Sequence, residues 1–172
     1  PPALVEFPSK HFYRGVVQSS DSVLRRVVPL GFVWPVGGLP LAFLDVNGEE
    51  KAHEAGFSNA LEAEIVVDVV SEFLRKEEGT VVVLSPYAKQ VSRVRTALRR
   101  ASVEGVRVGS VDSFQGQEAD IVVFSATRSN QEGSLGFVRD ARRLNVALTR
   151  AKRGLVVVGD AVTLSNSHHW SA

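Results

Sequence analysis

The chain has 172 residues, 44% hydrophobic and 23% charged, with a formal net charge of +1. Those values suit one domain large enough to bury its own core, and they exclude collagen-like, disordered and disulfide-framework classes. The absence of cysteine removes thiol catalysis and thiolate metal sites, and the absence of methionine makes the chain read as a fragment or a processed product.

In chain order, residues 1–20 read as a short helix and connector, without the basic-then-apolar order of a secretory signal. Residues 16–40 read as a long irregular loop. Its second half opens a run of eighteen uncharged residues, 27–44, a length that can span a bilayer. Pro29, Pro35 and Pro40, with Gly31, Gly37 and Gly38, argue against a membrane helix, because lipid cannot replace the donors that proline removes. The expectation is a soluble protein in a reducing intracellular compartment, cytoplasmic or nuclear.

Five apolar runs follow at fairly even spacing: LAFLDV at 41–46, TVVVL at 80–84, VRVGSV at 106–111, IVVFS at 121–125 and LVVVG at 155–159. Most are nearly continuous rather than alternating, as strands buried on both faces are. Between the first two, Asn59 caps a helix with Glu62 three residues on, a variant of the capping box. Leu61, Ile65, Val69 and Phe73 form its apolar stripe. A second helix is expected to start at Pro86 with Ser85 as its cap, burying Val91, Val94 and Leu98. A third spans 140–150, with Leu144, Ala147 and Leu148 inward. This alternation predicts an α/β fold with a mainly parallel sheet covered by helices on both faces.

Charge is unevenly spread. Ten acids face three bases between Asp45 and Glu78, whereas six bases face one acid between Lys89 and Arg107, and again between Arg139 and Arg153. Such runs commonly form solvated helix faces. Two of them in one half of the chain also suit a polyanionic partner.

Ligands of open α/β sheets gather beyond the carboxyl ends of the strands. Three polar loops follow predicted strands: Ser85-Pro86-Tyr87, Asp112 to Glu118, and Thr127-Arg128-Ser129-Asn130. All three are expected on one edge. Their hydroxyls, amides and guanidinium suit phosphates, without choosing between a nucleotide and a nucleic acid. His11, His53, His168 and His169 show no metal-ligand spacing, and no metal site is expected on this chain.

Longer strings do choose. VDSFQGQEADIVVFSATRSN (111–130) and RRLNVALTRAKRGLVVVGD (142–160) resemble two signature regions of superfamily 1 helicases, in the branch containing the nonsense-mediated-decay helicase and senataxin. LSPYAKQ (84–90) is similar to that branch's motif IV, and PALVEFPSKHFYRG (2–15) to the segment after its Gln-Tyr-Arg-Met-His-Pro motif. LAFLDVNGEE with Asn59, Glu62, Ala63 and Glu64 also fits. The resemblance covers nearly all of the chain apart from the loop near 16–38.

The resemblance implies a RecA-like fold over 1–172, the second such domain of a helicase, in a larger chain. It implies that Arg150 is the arginine finger reaching the γ-phosphate of ATP; the alternative is a surface arginine placed by the helix dipole. Gln115, Gly116 and Glu118 of the Gln-Gly-x-Glu motif would contact the nucleotide, where otherwise they form a turn and a solvated acid. Ser85, Pro86, Tyr87, Ser113, Arg128 and Asn130 would contact a single strand of RNA or DNA through phosphates and sugars, without reading its sequence. The alternative for Ser85 and Pro86 is a plain helix cap.

No Gly-x-x-x-x-Gly-Lys-Ser/Thr loop occurs in the sequence. ATP and Mg2+ would therefore be held mainly by a first RecA-like domain, the expected partner, and these residues alone would be inactive. Two other classes stay open: a degenerate helicase serving as a nucleic-acid or protein-binding scaffold, and a flavodoxin-like nucleotide module. The second expects a glycine-rich first strand–helix turn, which is missing.

Overall fold

All five apolar runs are strands of one parallel sheet. The computed structural model describes residues 27–76, 79–168 and 170, together with Leu4 and Ser9, and leaves aside the side chains of 141–144. Apart from Leu4 and Ser9, the helix and connector expected over 1–20 and the first part of the loop over 16–40 lie outside the described residues. So does the inward side chain expected of Leu144.

The elements are β1 (Leu41–Asp45), a hairpin of β2 (Glu50–His53) and β3 (Gly56–Asn59), α1 (Ala60–Lys76), β4 (Val81–Ser85), α2 (Ala88–Arg100) and β5 (Arg107–Ser110). A 3-10 turn at Asp112–Phe114 leads to β6 (Ala119–Ser125), and another at Gly136–Arg139 to α3 (Ala141–Leu148), β7 (Ala151–Gly159) and α4 (Ala161–Leu164). The sheet runs β1-β7-β6-β4-β5, every pair parallel.

Alternate residues of the strands feed two cores. Val81, Val83, Ile121, Val123, Val156 and Val158 pack under α1 and α2 with Val70, Phe73 and Val94. Val82, Leu84, Val122, Phe124, Leu155 and Val157 face the other way, against Phe114, Ala147, Leu148 and Leu164. Helices on both faces explain why the runs are continuous: each fully buried Val, Leu or Phe contributes roughly 1.5–3 kcal/mol whichever way it points. The fold is the α/β, RecA-like arrangement expected.

Over 27–40 the chain is irregular, with one bridge between Val36 and Leu39. Phe32 stacks on Phe73 at 5.4 Å and Trp34 packs tilted against it at 6.0 Å, so this loop closes one end of a core. Among the described residues no helix is long and apolar enough to cross a membrane.

Two local expectations are corrected, and one pair of strands is new. The buried stripe of α1 is Glu62, Ala63, Val66, Val69, Val70 and Phe73, while Leu61 is exposed and Ile65 only half-buried. Ser85 does not cap α2: it ends β4, and the helix opens after Tyr87, whose φ of −113° and ψ of 122° are extended and which makes no side-chain cap bond. The β2–β3 hairpin was not expected. Its strands, EKAH and GFSN, are short and poor in β-branched residues.

Candidate functional site

The polar loops do not share one edge of the sheet. Ser85 and Thr127 to Asn130 lie at the carboxyl end, and Ser113 lies just beyond the carboxyl end of β5. The chain then folds back along the sheet. Gln115 to Glu118 lead into Ala119, which pairs with Ala151 at the amino ends of β6 and β7. A seven-residue strand separates the two ends, about 20 Å at the rise of an extended chain. The reason is that β5 joins β6 through a 3-10 turn and a buried Phe114, with no intervening α-helix.

At the amino end Arg150 stands directly before β7. Its Nε donates to Val146 O at 3.0 Å, its Nη1 to Gln117 O at 3.2 Å and its Nη2 to Thr149 Oγ1 at 3.1 Å. The guanidinium thus satisfies a carbonyl in the last turn of α3, as the helix-end alternative expects. It also lies against the Gln-Gly-x-Glu loop, as the nucleotide reading expects. Ala119 N donates to Arg150 O at 3.0 Å, tying the two segments together. Glu118 pairs with Lys152 at 3.4 Å, both well exposed, a pairing worth at most about 1 kcal/mol and easily exchanged.

Gln115 and Gly116 are exposed. Gly116 has φ +78°, and a Cβ there would meet nothing within 4 Å, so its constraint is backbone conformation and the space above it is open. Gln117 accepts from Arg107 Nη2 and donates to Ser113 O at 3.3 Å, fixing the loop to β5. An arginine, a carboxylate, an amide and open backbone fit a nucleotide. Among the described residues no three His, Asp or Glu side chains gather as metal ligands, so no magnesium site is assigned here.

At the carboxyl end a buried polar network links five elements, β3, α1, α2, β6 and β4. Asn59 Oδ1 accepts from Glu62 N at 3.1 Å, which confirms the cap. Glu62 does not reach back to Asn59 N; that amide goes to Gln90 Oε1 at 2.8 Å. Glu62 Oε2 instead takes Ser125 Oγ at 2.6 Å and Thr127 N at 2.8 Å. Thr127 has φ +75°, a strained conformation for a β-branched residue. The bond from Glu62 and a 3.1 Å contact between the Ser85 and Thr127 hydroxyls hold it there. This turn directs the next three residues toward Glu50 and α4.

Arg128 does not present its guanidinium to solvent. Only 3% exposed, it binds Glu50 through two parallel bonds of 2.9 and 3.0 Å and lies 4.0 Å over the Phe57 ring. Glu50 also accepts Ser129 N at 2.7 Å and Asn130 Nδ2 at 3.1 Å. Burial pushes the Glu50 carboxyl up, but the bonds from Arg128, Asn130 and Ser129 and the Arg128 charge outweigh it, and the carboxyl titrates below its usual range. Ser129 Oγ binds Asp160, which caps α4 through Val162 N at 2.9 Å. Ser85 and Tyr87 are likewise buried, at 1% and 2%. Tyr87 OH accepts from Phe137 N at 3.0 Å, and a Cβ on Gly136 would collide with that hydroxyl and with Arg128.

Pro86 and Asn130 are half-buried and Ser113 is exposed. Sequence reasoning missed Phe137, 52% exposed beside the Tyr87 ring at 5.5 Å, and the roles of Glu50 and Gln90. An aromatic after a glycine in a polar stretch was the available signal for Phe137. Glu50 carried none, because its partner is seventy-eight residues away.

Glu62 yields a prediction. Burial raises its carboxyl from the usual 4.5 to about 8, against the bonds from Ser125 and Thr127 that lower it. It therefore holds a proton at neutral pH. A folded value above the unfolded one gives stability that is complete below pH 4.5 and lost as pH rises through about 8. Glu62→Gln, which mimics the neutral acid, should remove that fall in melting temperature, while Glu62→Ala should lower the melting temperature throughout. A melting temperature in the unsubstituted protein that stays flat across the window contradicts this.

A family model described as an AAA domain matches residues 1–162. The chain is 38% identical to "Regulator of nonsense transcripts 1 homolog" of Arabidopsis thaliana, over 99% of the chain and 14% of that protein. It is 36% identical to "ATP-dependent helicase NAM7" of Saccharomyces cerevisiae, over 99% of the chain and 19% of that protein. It is 34% identical to "Helicase sen1" of Schizosaccharomyces pombe, over 99% of the chain and 11% of that protein. The chain thus spans less than a fifth of the length of each of these relatives.

Proposed function

This chain belongs to the AAA domain family, in the superfamily 1 helicase branch of those relatives, and from that premise we propose that it is the second RecA-like domain of an ATP-dependent helicase. A first domain of the same protein would hold ATP and Mg2+. This domain would close the cleft from its amino-end cluster and hold one strand of RNA or DNA at its carboxyl end. The observation that carries the reading is the placement of Arg150 against the Gln-Gly-x-Glu loop, 3.2 Å from Gln117 O, at the sheet end opposite the strand-facing loops.

Each residue then has a physical task. Arg150 keeps its three contacts and turns its two remaining guanidinium N–H groups to the γ-phosphate, neutralising charge developing on the transferring group. Glu118 accepts from a ribose hydroxyl, and Gln115 with Gly116 lets the backbone approach the nucleotide. Pro86, Ser113 and Asn130 meet the strand directly. Phe137 gives a base a surface to stack on, worth about 1–3 kcal/mol. Ser85, Tyr87 and Arg128 act from behind, fixing the loops that touch it. The sheet joins the two ends rigidly, so closing the cleft moves the strand-facing loops.

Photo-crosslinking of the complete helicase tests the division. A thio-substituted single strand should attach at the carboxyl end and an azido-adenine nucleotide at the amino end. A strand attached only at the amino end rejects the reading.

A further inference from the structure

One charged surface is not used by either end. The run Lys89 to Arg107 places Lys89, Arg93 and Arg100 along one side of α2, facing the β2–β3 hairpin and the start of α1. Together they line a groove of about 350 Å³. Its floor is small, formed by Ala60, Ala63 and Ala97, and the hydroxyls of Ser92 and Thr96 stand between the cations. Glu64 is the acid on its rim, and His53, bonded to Ser58 Oγ at 2.8 Å, closes the hairpin side. No ion pair engages Lys89, Arg93 or Arg100 among the described residues. By contrast Arg95, on the other side of the helix, is committed to Val108 O at 2.6 Å.

We propose that this groove is a second binding site for the phosphodiester backbone of a single strand that continues past the carboxyl-end loops. It rests on the reading above and adds a surface outside the loops already assigned. Three features favour a phosphate chain over other occupants. Three cations face one carboxylate, so the surface is electropositive. The cations extend from Lys89 to Arg100, eleven rises of the helix or about 16 Å, which suits an extended polyanion better than one compact anion. Continuity sets the direction, because Lys89 stands two residues after Tyr87, where the strand-facing loop passes into α2. The first cation of the groove therefore stands beside that loop. Contacts of this kind add affinity and salt dependence and carry no sequence information.

The experiment measures binding of labelled oligo-uridine and oligo-thymidine to the complete helicase across a range of salt concentrations. One length covers the carboxyl-end loops only, and the other extends beyond them. In Lys89→Ala/Arg93→Ala/Arg100→Ala the slope of log affinity against log salt should fall by about 2 for the long strand, three contacts at roughly 0.7 each. It should not change for the short strand, which also reports that the variant is folded. Arg95→Ala, on the other side of the same helix, should leave both slopes as they are. The proposal is overturned if long and short strands lose equally, if Arg95→Ala has the same effect, or if neither slope moves. It is also overturned if poly-glutamate binding is lost in the triple variant while the strand slopes persist, since that assigns the groove to an acidic protein. Failure of the unsubstituted helicase to bind either length refutes the functional reading itself, a result distinct from all of these. Equal behaviour of the RNA and DNA arms is expected for a backbone contact, and loss of slope in only one arm overturns the assignment to the phosphodiester.

Discussion

Arg150→Ala in the complete helicase is expected to lower ATP turnover by about 10³–10⁵-fold and to leave nucleotide affinity within a few-fold. The asymmetry follows from the chemistry. Charge on the transferring phosphoryl develops only as the reaction proceeds, so a guanidinium placed for it stabilises the transition state more than the bound substrate. Structure supplies the means. Arg150 is half-buried and held on three sides by Val146 O, Gln117 O and Thr149 Oγ1. It is therefore pre-positioned, with little side-chain entropy left to lose. Arg150→Lys should recover little, because an ammonium cannot reproduce a planar fork holding several acceptors at once. Steady-state hydrolysis beside a fluorescent-nucleotide titration separates the two quantities. Unchanged turnover removes Arg150 from catalysis and leaves it a helix-end arginine. A complete protein with no turnover to lose would instead be the scaffold considered from sequence.

Glu50→Ala or Arg128→Ala should be strongly destabilising. The pair is 12% and 4% exposed at its side chains, and removing one partner strands the other charge, a loss of about 3–5 kcal/mol. For a domain of this size that lowers the melting temperature by roughly 10 °C. Because Glu50 also takes Ser129 N and Asn130 Nδ2, the same change frees the loop at the carboxyl end, and strand affinity should fall with stability. The pH dependence has the opposite sign to that of Glu62. The folded carboxyl of Glu50 titrates below its usual 4.5, so its contribution is present above that value and is lost as acid carries the pH down through the folded one. Glu50→Gln should blunt this acid sensitivity. Thermal melts between neutral pH and pH 3 read it out; a Glu50→Ala variant melting within a degree or two of the unsubstituted protein contradicts the assigned importance of the pair.

Legibility followed the range of the physics. Strands such as IVVFS and LVVVG declare themselves locally, since burial on both faces demands continuous apolar residues, and β6 and β7 appear where expected. The cap at Asn59 is equally local. Its side effect was not: starting the helix at Ala60 turns Glu62 inward and Leu61 outward, against hydrophobicity, because Ser125 and Thr127 wait at the end of β6. Pattern reading assigns such a residue to the wrong face. Motif resemblance grouped Arg150 with Glu118, and the two segments lie side by side at the start of β6 and β7. It could not show that Gln115 to Glu118 had left the edge occupied by Ser85 and Arg128, since eight residues between β5 and β6 serve either a loop that stays or one that crosses. Nor could it show that Arg128 is spent on Glu50, a contact spanning seventy-eight positions.

The central claim is that nucleotide and strand occupy opposite ends of one parallel sheet. Mapping crosslinked peptides in the complete helicase, with an azido-adenine nucleotide and a thio-substituted strand bound together, tests it most directly. Nucleotide adducts are expected within 115–118 and 149–152, and strand adducts at 86, 113 and 130–137. Both probes attached to the same end, or the two exchanged, would contradict it.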